Sequence, residues 1–379
     1  MHNLRYCWGL LLVVLMACQS TETRVGAGNE TTAETTELRR MIGQMMMVGT
    51  RGMRVDEIEE VYLRQLREGK IGGIVLFDYD VIKGEAHRNI QSPEQVRQLI
   101  ADLQRAAPTK LFVALDQEGG RVNRLKTTYG FPASVSNQYL GTLNDVDSTR
   151  FYAERAARTI SELGFNVNFA PAVDVNLYPE NPVIGKIERS YSPDPQEVIK
   201  HGRIQVEAQN AAGILSTLKH FPGHGSSHSD SHYGVTDVTK YWKELELEPF
   251  RTLGSLDDAQ VAVMTAHVVN QNLDPDYPAT LSKKIIDGIL RQQLGFDGIV
   301  FSDDMHMRAV HTQFGLDTML TRAVNAGVDV LVFGNNLEYD LEIPTKAADI
   351  LVKAVKAGTL PRARIEEAYR RIVAAKERL

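Results

Sequence analysis

The sequence is almost free of cysteine. Among 379 residues only Cys7 and Cys18 are cysteines, and both lie in the first eighteen positions. A fold built on disulfides is therefore excluded, and so is a thiolate metal site or a catalytic cysteine in the rest of the chain. Strong charge is also lacking, because the net charge is −6 and the charged residues make up 24%. This balance does not suit a nucleic-acid binder, while 43% hydrophobic residues suffice for a large core.

The N-terminal apolar run is short. Arg5 precedes Trp8–Ala17, which is too short to span a bilayer comfortably, and the run ends in Leu15-Met16-Ala17-Cys18. This pattern resembles the bacterial lipoprotein signal, in which the chain is cut before a cysteine that becomes lipidated. An ordinary signal peptide or a short membrane anchor is the alternative.

These features give a prediction for the organisation of the N-terminus. We expect a signal peptide at 1–17, followed at 18–36 by the lipidated Cys18 and a flexible polar tether. The mature protein is then extracytoplasmic and attached to a bacterial membrane through its lipid alone.

From about Glu37 a pattern of apolar runs and helical stretches repeats. The helical stretches stop at glycines such as Gly164 and Gly213. Alternation of this kind predicts a parallel sheet covered on both faces, and eight units favour a single (β/α)8 TIM-type barrel over residues 37–379. An open doubly wound sheet is the alternative. The eight runs are 45–50, 73–77, 111–116, 167–175, 214–221, 261–268, 298–304 and 330–334.

Polar side chains at the ends of these runs favour the barrel over the open sheet. In a barrel all strand ends converge on one face, where such enzymes keep their active sites, whereas the outer strands of an open sheet lie too far apart to cooperate. The strand-end residues are Asp116, Asp174, Lys219, His220, His267, Asp303, Asp304 and Asn335.

The segment Asp116–Val122 follows the third predicted strand. Gly119 and Gly120 come after two carboxylates, which predicts a tight turn with close backbone approach. Asp116 is then placed to accept hydrogen bonds from a polar ligand. A salt-bridged turn without a ligand is the alternative.

A histidine-rich segment runs from Lys219 to His232. Pro222, Gly223 and a serine cluster make a helix implausible, so the four-residue spacing of the histidines does not predict a zinc-binding helix face. In a loop, Asp230 can orient His232 and stabilise its protonated form, which would make a general acid/base dyad. A surface loop with unremarkable histidines is the alternative. The four regularly spaced histidines are His220, His224, His228 and His232.

Paired carboxylates, Asp303 and Asp304, emerge from the seventh predicted strand. Their desolvation is costly unless they are used or neutralised, so one of them is a candidate nucleophile or metal ligand. Because adjacent strand residues point to opposite faces, we expect only one to reach the barrel mouth and the other to cap a helix.

In order and spacing these three segments resemble glycoside hydrolase family 3, specifically its bacterial β-N-acetylglucosaminidases. The likeness extends from about Met41 to Leu379. Other matching motifs are 72–77, 89–90 with 92–95, 168–171, 189–191, 264–268 and 326–329.

The resemblance implies roles for individual residues. Asp303 would be the nucleophile that forms a covalent glycosyl-enzyme, and His232, oriented by Asp230, the acid/base. The residues implied to hold the sugar are Asp116, Arg189, Lys219 and His220. A histidine thus replaces the usual acid/base carboxyl. Many relatives outside this branch take the acid/base from an additional domain; we expect this chain to end with a helix at 364–379 and to rely on its loop.

The resemblance also implies an activity, which is retaining exo-hydrolysis of terminal β-linked N-acetylglucosamine from glycan, peptidoglycan or chitin fragments. It implies neither a cofactor nor a metal. A β-glucosidase or β-xylosidase of the same family, a zinc-dependent barrel hydrolase, a phosphorylase and a catalytically retired glycan-binding lipoprotein remain as alternatives. The sequence leaves the oligomeric state open.

One segment, 78–88, departs from the family pattern as an insertion between Phe77 and Asn89. It follows the second predicted strand and therefore belongs at the barrel mouth. We expect it either to form a wall of the outer sugar subsites or to be a neutral loop elaboration.

Overall fold

The computed structural model describes residues 32–231, 234–256 and 259–379. Eight strands, all parallel, form one sheet in the order β7-β6-β5-β4-β3-β2-β1-β8. A parallel bridge between Phe301 of β7 and Val330, next to β8, closes the sheet into a barrel. The predicted (β/α)8 barrel is confirmed, and each strand lies within a predicted run. The strands are β1 Met46–Val48, β2 Gly73–Val75, β3 Phe112–Leu115, β4 Val167–Asn168, β5 Leu215–Phe221, β6 Val261–Thr265, β7 Val300–Phe301 and β8 Leu331–Phe333.

Helices connect the strands and surround the barrel. Two of them begin with side-chain caps: Ser92 Oγ accepts a hydrogen bond from Gln95 N, and Asp194 Oδ1 accepts one from Gln196 N. A π-helix, Lys284–Gln293, occupies the connection between β6 and β7. The α-helices are α1 Thr32–Gln44, α2 Glu60–Arg67, α3 Pro93–Ala106, α4 Asn137–Leu143, α5 Val146–Glu162, α6 Pro195–Ala211, α7 Glu248–Gly254, α8 Arg308–His311, α9 Leu316–Ala326, α10 Ile343–Lys356 and α11 Arg362–Arg378.

Helix α1 corrects the predicted boundary of the tether. Residues 32–36 belong to this helix, and Leu38, Met41 and Ile42 on it are buried. Leu38 is the first buried residue of α1 and begins the apolar face that packs on the barrel. The helix starts six residues earlier, at Thr32, within the polar stretch. The signal peptide, Cys18 and the tether up to residue 31 lie outside the described residues.

The barrel interior is filled by buried aromatic and aliphatic side chains. Phe301 contacts Phe112 and Phe169 edge to face, with ring centroids 6.1 and 5.4 Å away. At the amino-terminal end of the strands Lys376 of α11 reaches inward and donates hydrogen bonds to Gln44 Oε1 and Gly72 O. No helix in the described part of the chain has the length and apolar character to cross a bilayer.

Candidate active site

The carboxyl ends of the strands surround a cavity of about 360 Å³. Loops that follow β2, β3, β4, β5, β7 and β8 all contribute to its wall. Six of the seven residues predicted to act in catalysis or sugar binding line it, and the seventh, His232, lies outside the described residues. The six are Asp116, Arg189, Lys219, His220, Asp230 and Asp303.

A bulge in β5 explains how two adjacent residues, Lys219 and His220, both reach the cavity. Leu218 pairs with Val263 and Phe221 pairs with Thr265, so Lys219 and His220 together oppose a single residue of β6. A bulge of this kind redirects side chains that would otherwise point to opposite faces.

The Lys219 ammonium group lies between two carboxylates. It is 2.8 Å from Asp116 Oδ1 and 2.6 Å from Glu118 Oε1. Burial acts to raise the pKa of both carboxyl groups, but Lys219 together with Arg124 outweighs it at Asp116, whose pKa is well below its ordinary value. At Glu118 the charges of Arg189 and Lys219 lower the pKa to about 2. Both carboxylates are thus ionised acceptors.

Arg189, on the loop after β4, extends this network to His220. It donates two hydrogen bonds to the Glu118 carboxylate, of 2.9 and 2.7 Å, and His220 Nε2 lies 3.1 Å from its Nη2. Because a guanidinium only donates, His220 Nε2 accepts and the ring proton lies on Nδ1. That atom is 2.7 Å from Asp174 Oδ2. Asp174 therefore fixes the tautomer and the orientation of His220.

Asp303 and Asp304 both line the cavity, so the prediction that only one reaches the mouth is wrong. Strand β7 ends at Phe301, and beyond it the alternation of a strand no longer applies. Asp303 Oδ1 accepts a hydrogen bond from Asp304 N. The predicted helix-cap role is also wrong, because the residue that precedes α8 is Met307.

The Asp304 carboxylate instead accepts hydrogen bonds from the backbone of two loops. Its Oδ1 accepts from His306 N at 3.0 Å and from Gly334 N, after β8, at 3.1 Å. A Cβ at Gly334 would lie 2.5 Å from Asp304 Oδ2, so the glycine leaves room for the carboxyl group. Burial raises the pKa of Asp304 to about 6, against the opposing effect of these hydrogen bonds.

The segment that carries Asp230 is a loop, as predicted, with no helix in residues 222–231. Of the four regularly spaced histidines, His220 and His224 are buried and His228 is exposed. Burial lowers the pKa of His224 to about 4, which leaves the ring neutral. Across 32–231, 234–256 and 259–379, no three His, Cys, Asp or Glu side chains are placed to hold a metal ion together.

The insertion forms a two-stranded hairpin, Tyr79–Asp80 with Glu85–Ala86. Asp80 is buried and pairs with Arg51 and Arg88, each at 2.7 Å. Asn336 of the loop after β8 adds hydrogen bonds to Tyr79 O and Val81 N. The hairpin is therefore fixed to the barrel rather than loosely attached.

The hairpin presents apolar side chains to the cavity. Tyr79 and Val81 line it although they are 43% and 53% exposed, and Leu337 after β8 lies on the same wall. Ile82, next to Val81, is also exposed but does not line the cavity. The structure thus places the insertion in the wall of the cavity, and its role in the outer sugar subsites stays a prediction.

Sequence reasoning missed Glu118 and Arg124 as parts of the site. Gly119 and Gly120, with φ of 105° and 57°, turn the chain so that Gln117–Gly119 pairs with Val122–Asn123. This reversal brings Arg124 within 3.2 Å of Asp116. The two glycines were the available signal, since a reversal there places residue 124 back beside residue 116.

The arrangement has the components of glycosyl transfer to water. Asp303 and Asp230 line one cavity, from the loops after β7 and β5. The ion-paired Asp116 and Lys219 line it as well. Such a set of carboxylates at the carboxyl face of a parallel barrel defines the class of barrel glycoside hydrolases.

Comparison with known families makes the assignment specific. Residues 37–375 match the glycosyl hydrolase family 3 N terminal domain. The chain belongs to this family.

Two curated relatives are both β-hexosaminidases. The enzyme of Xanthomonas campestris pv. campestris is 35% identical over 297 residues, which cover 76% of this chain and 83% of the relative. β-Hexosaminidase A of Pseudoalteromonas piscicida is 36% identical over 283 residues, which cover 69% of this chain and 45% of the relative. This chain thus matches less than half of the Pseudoalteromonas enzyme.

Solved structures show the same fold. A family 3 β-N-acetylglucosaminidase from Paenibacillus superposes with a TM-score of 0.80 at 35% identity, over 90% of this chain and 62% of that one. A β-N-acetylhexosaminidase from Beutenbergia cavernae gives a TM-score of 0.78 at 27% identity, over 90% and 98% of the two chains.

Proposed function

We propose that the protein hydrolyses terminal β-linked N-acetylglucosamine from the non-reducing end of glycan fragments, with retention at the anomeric carbon. The observation that carries the proposal is the convergence of Asp303 and Asp230 on one cavity that Asp116 and Lys219 also line, with Lys219 paired in addition to Glu118. The β-hexosaminidase relatives and the β-N-acetylglucosaminidase structure support the sugar.

In this mechanism Asp303 attacks the anomeric carbon and forms a covalent glycosyl-enzyme. His232, oriented by Asp230, first protonates the leaving oxygen and then removes a proton from the attacking water. Asp116, ionised at every ordinary pH because Lys219 and Arg124 lower its pKa, accepts hydrogen bonds from sugar hydroxyls. Arg189, Lys219 and His220 hold the remaining hydroxyls and the acetamido group.

A comparison of three aryl β-glycosides, of N-acetylglucosamine, glucose and xylose, tests the sugar assignment. We expect the N-acetylglucosaminide to be cleaved fastest, and faster release from the glucoside would overturn the assignment in favour of a β-glucosidase. The same assay with added phosphate distinguishes a hydrolase from a phosphorylase, since only the latter yields a sugar phosphate. Resistance to chelators is expected, because the mechanism uses no metal.

We further infer that Cys18 carries a lipid that attaches the protein to a bacterial membrane on its extracytoplasmic side, after removal of residues 1–17. The support is the Leu15-Met16-Ala17-Cys18 sequence. Labelled fatty acid should enter the wild-type protein, whereas the Cys18→Ala variant should neither take up the label nor fractionate with membranes. Such a location would give access to peptidoglycan and chitin fragments, and turnover of the two kinds of oligosaccharide can be compared directly.

A further inference from the structure

The imidazole ring of His228 lies between two tyrosine rings. Its centroid is 3.8 Å from that of Tyr178 and 3.8 Å from that of Tyr241, with interplanar angles of 9° and 22°. Tyr178 belongs to the loop after β4, and Tyr241 follows the short strand Thr236–Asp237. The stack therefore joins three separate parts of the barrel mouth. His228 is exposed to solvent, so burial in the core does not account for its position.

The first part of the same loop is held by hydrogen bonds to its backbone. Asp174 Oδ1 accepts from His224 N at 2.8 Å, and Asn181 Nδ2 donates to His224 O at 2.7 Å. Glu246 Oε2 accepts from Gly225 N at 3.1 Å. A Cβ at Gly225 would lie 1.7 Å from Val175 O, so the backbone of the two loops is in direct contact there.

Beyond Gly225 the loop makes a backbone hydrogen bond, from Ser227 N to His224 O, and further contacts through its side chains. His224 Nε2 and Ser231 Oγ are 3.2 Å apart, and Ser229 Oγ donates to Thr236 Oγ1 at 3.2 Å. In this stretch the ring of His228 is packed on both of its faces. Asp230, which lines the cavity, follows two residues later.

We propose that Tyr178 and Tyr241 clamp His228 and thereby hold Asp230 against the cavity. His228 is then a positioning residue that does not touch the substrate. Two faces of contact restrict both the position and the orientation of the ring. Since two residues span at most about 7 Å, a clamp at 228 limits how far Asp230 can move. The inference rests on the proposed acid/base role of Asp230 and His232.

The test uses kcat/KM for two N-acetylglucosaminides that differ in their leaving group. Dinitrophenolate leaves without being protonated, whereas the phenol leaving group needs a proton from the acid/base. A misplaced Asp230 therefore slows only the phenyl glycoside. We expect His228→Ala to lower kcat/KM for the phenyl glycoside by about ten- to a hundredfold and to leave the dinitrophenyl glycoside nearly unchanged. His228→Phe, which keeps a flat ring, should restore most of the loss. Ser229→Ala, which removes the neighbouring hydrogen bond to Thr236, is the matched control and should resemble the wild type.

Asp230→Asn is the reference variant that separates the two ideas. If it slows the phenyl glycoside selectively while His228→Ala slows both substrates equally or neither, the clamp is wrong and the acid/base role stands. If Asp230→Asn itself shows no dependence on the leaving group, the acid/base assignment falls and the role of the clamp falls with it.

Discussion

The guanidinium of Arg189 donates two hydrogen bonds to the carboxylate of Glu118, across 71 positions of the sequence. Only 10% of the arginine side chain and 1% of the glutamate side chain are exposed. Charges this deeply buried are tolerated because they neutralise each other and because Lys219 supplies a second positive partner to Glu118. The pair ties the loop after β4 to the segment that follows β3, and in the proposed function it positions Arg189 for the sugar.

Removal of both partners of this pair should cost less stability than the sum of the two single removals. Arg189→Met leaves the Glu118 carboxylate with a missing partner, and we expect the free energy of unfolding to fall by about 3–5 kcal/mol. In the double variant Arg189→Met, Glu118→Gln the loss should be smaller than the sum of the two single losses. Denaturant titrations arranged as a double-mutant cycle measure this coupling, and strictly additive losses would contradict it.

Asp303 should be the residue that becomes glycosylated. Asp303→Ala is expected to lower kcat by roughly three to five orders of magnitude, since no other group attacks the anomeric carbon in its place. Asp304→Asn is the matched control, because its amide oxygen still accepts from His306 N and Gly334 N. Mass spectrometry of the quenched reaction should find the sugar on Asp303 in the wild type and in Asp304→Asn. A label on Asp304 would reverse the assignment.

Lys376 should make the stability of the barrel depend on pH. Burial lowers the pKa of its ammonium group from 10.5 to about 7 in the folded protein. The unfolded chain therefore binds more protons between those values, and stability rises as the pH increases from about 7 to 10.5. Below pH 7 the folded state bears the full cost of a buried, charged Lys376, which lowers the free energy of unfolding by up to about 5 kcal/mol.

A neutral substitute tests this dependence. Lys376→Met fills the same space, and both acceptors keep another donor: Phe112 N for Gly72 O, and Thr109 Oγ1 for Gln44 Oε1. We expect the variant to be more stable than the wild type at pH 6 and to lose the rise between pH 7 and 10. Thermal or denaturant unfolding at several pH values measures this, and parallel curves for the two proteins would show that Lys376 stays charged or does not matter.

The hairpin at 78–88 should influence the choice of leaving group. Its deletion is a poor test, because it would remove the buried pair Asp80 and Arg88 together and leave Arg51 without its carboxylate. Tyr79→Ala and Val81→Ala remove only the apolar wall of the cavity, and we expect KM for chitin oligosaccharides or bulky aryl leaving groups to rise about three- to tenfold. Ile82→Ala, an exposed apolar neighbour outside the cavity, should have no effect. Equal effects at 79, 81 and 82 would make the hairpin a neutral elaboration.

Much of the fold was predictable because the signal was local. A strand buried on both faces needs a continuous apolar run, and each of the eight runs contains one barrel strand. Polar residues at the ends of those runs also predicted which face holds the site, since parallel strands in a closed barrel place all their carboxyl ends together. Asp116, Lys219, His220 and Asp303 were found in this way.

Other residues of the site depend on how loops fold back, which no local pattern specifies. Arg124 reaches Asp116 through a short ribbon, and Asp304 reaches the cavity because β7 ends two residues before Asp303. The clamp on His228 requires rings from two other loops. The amino-acid sequence by itself thus determined the order of the strands, the barrel and the reactive strand ends, because burial and chain direction are encoded in short runs. Only the tertiary structure decided which charge meets which partner. The ion pairs that lower the pKa of Glu118, and the burial that shifts the pKa values of Asp304 and Lys376, exist only once distant segments pack together.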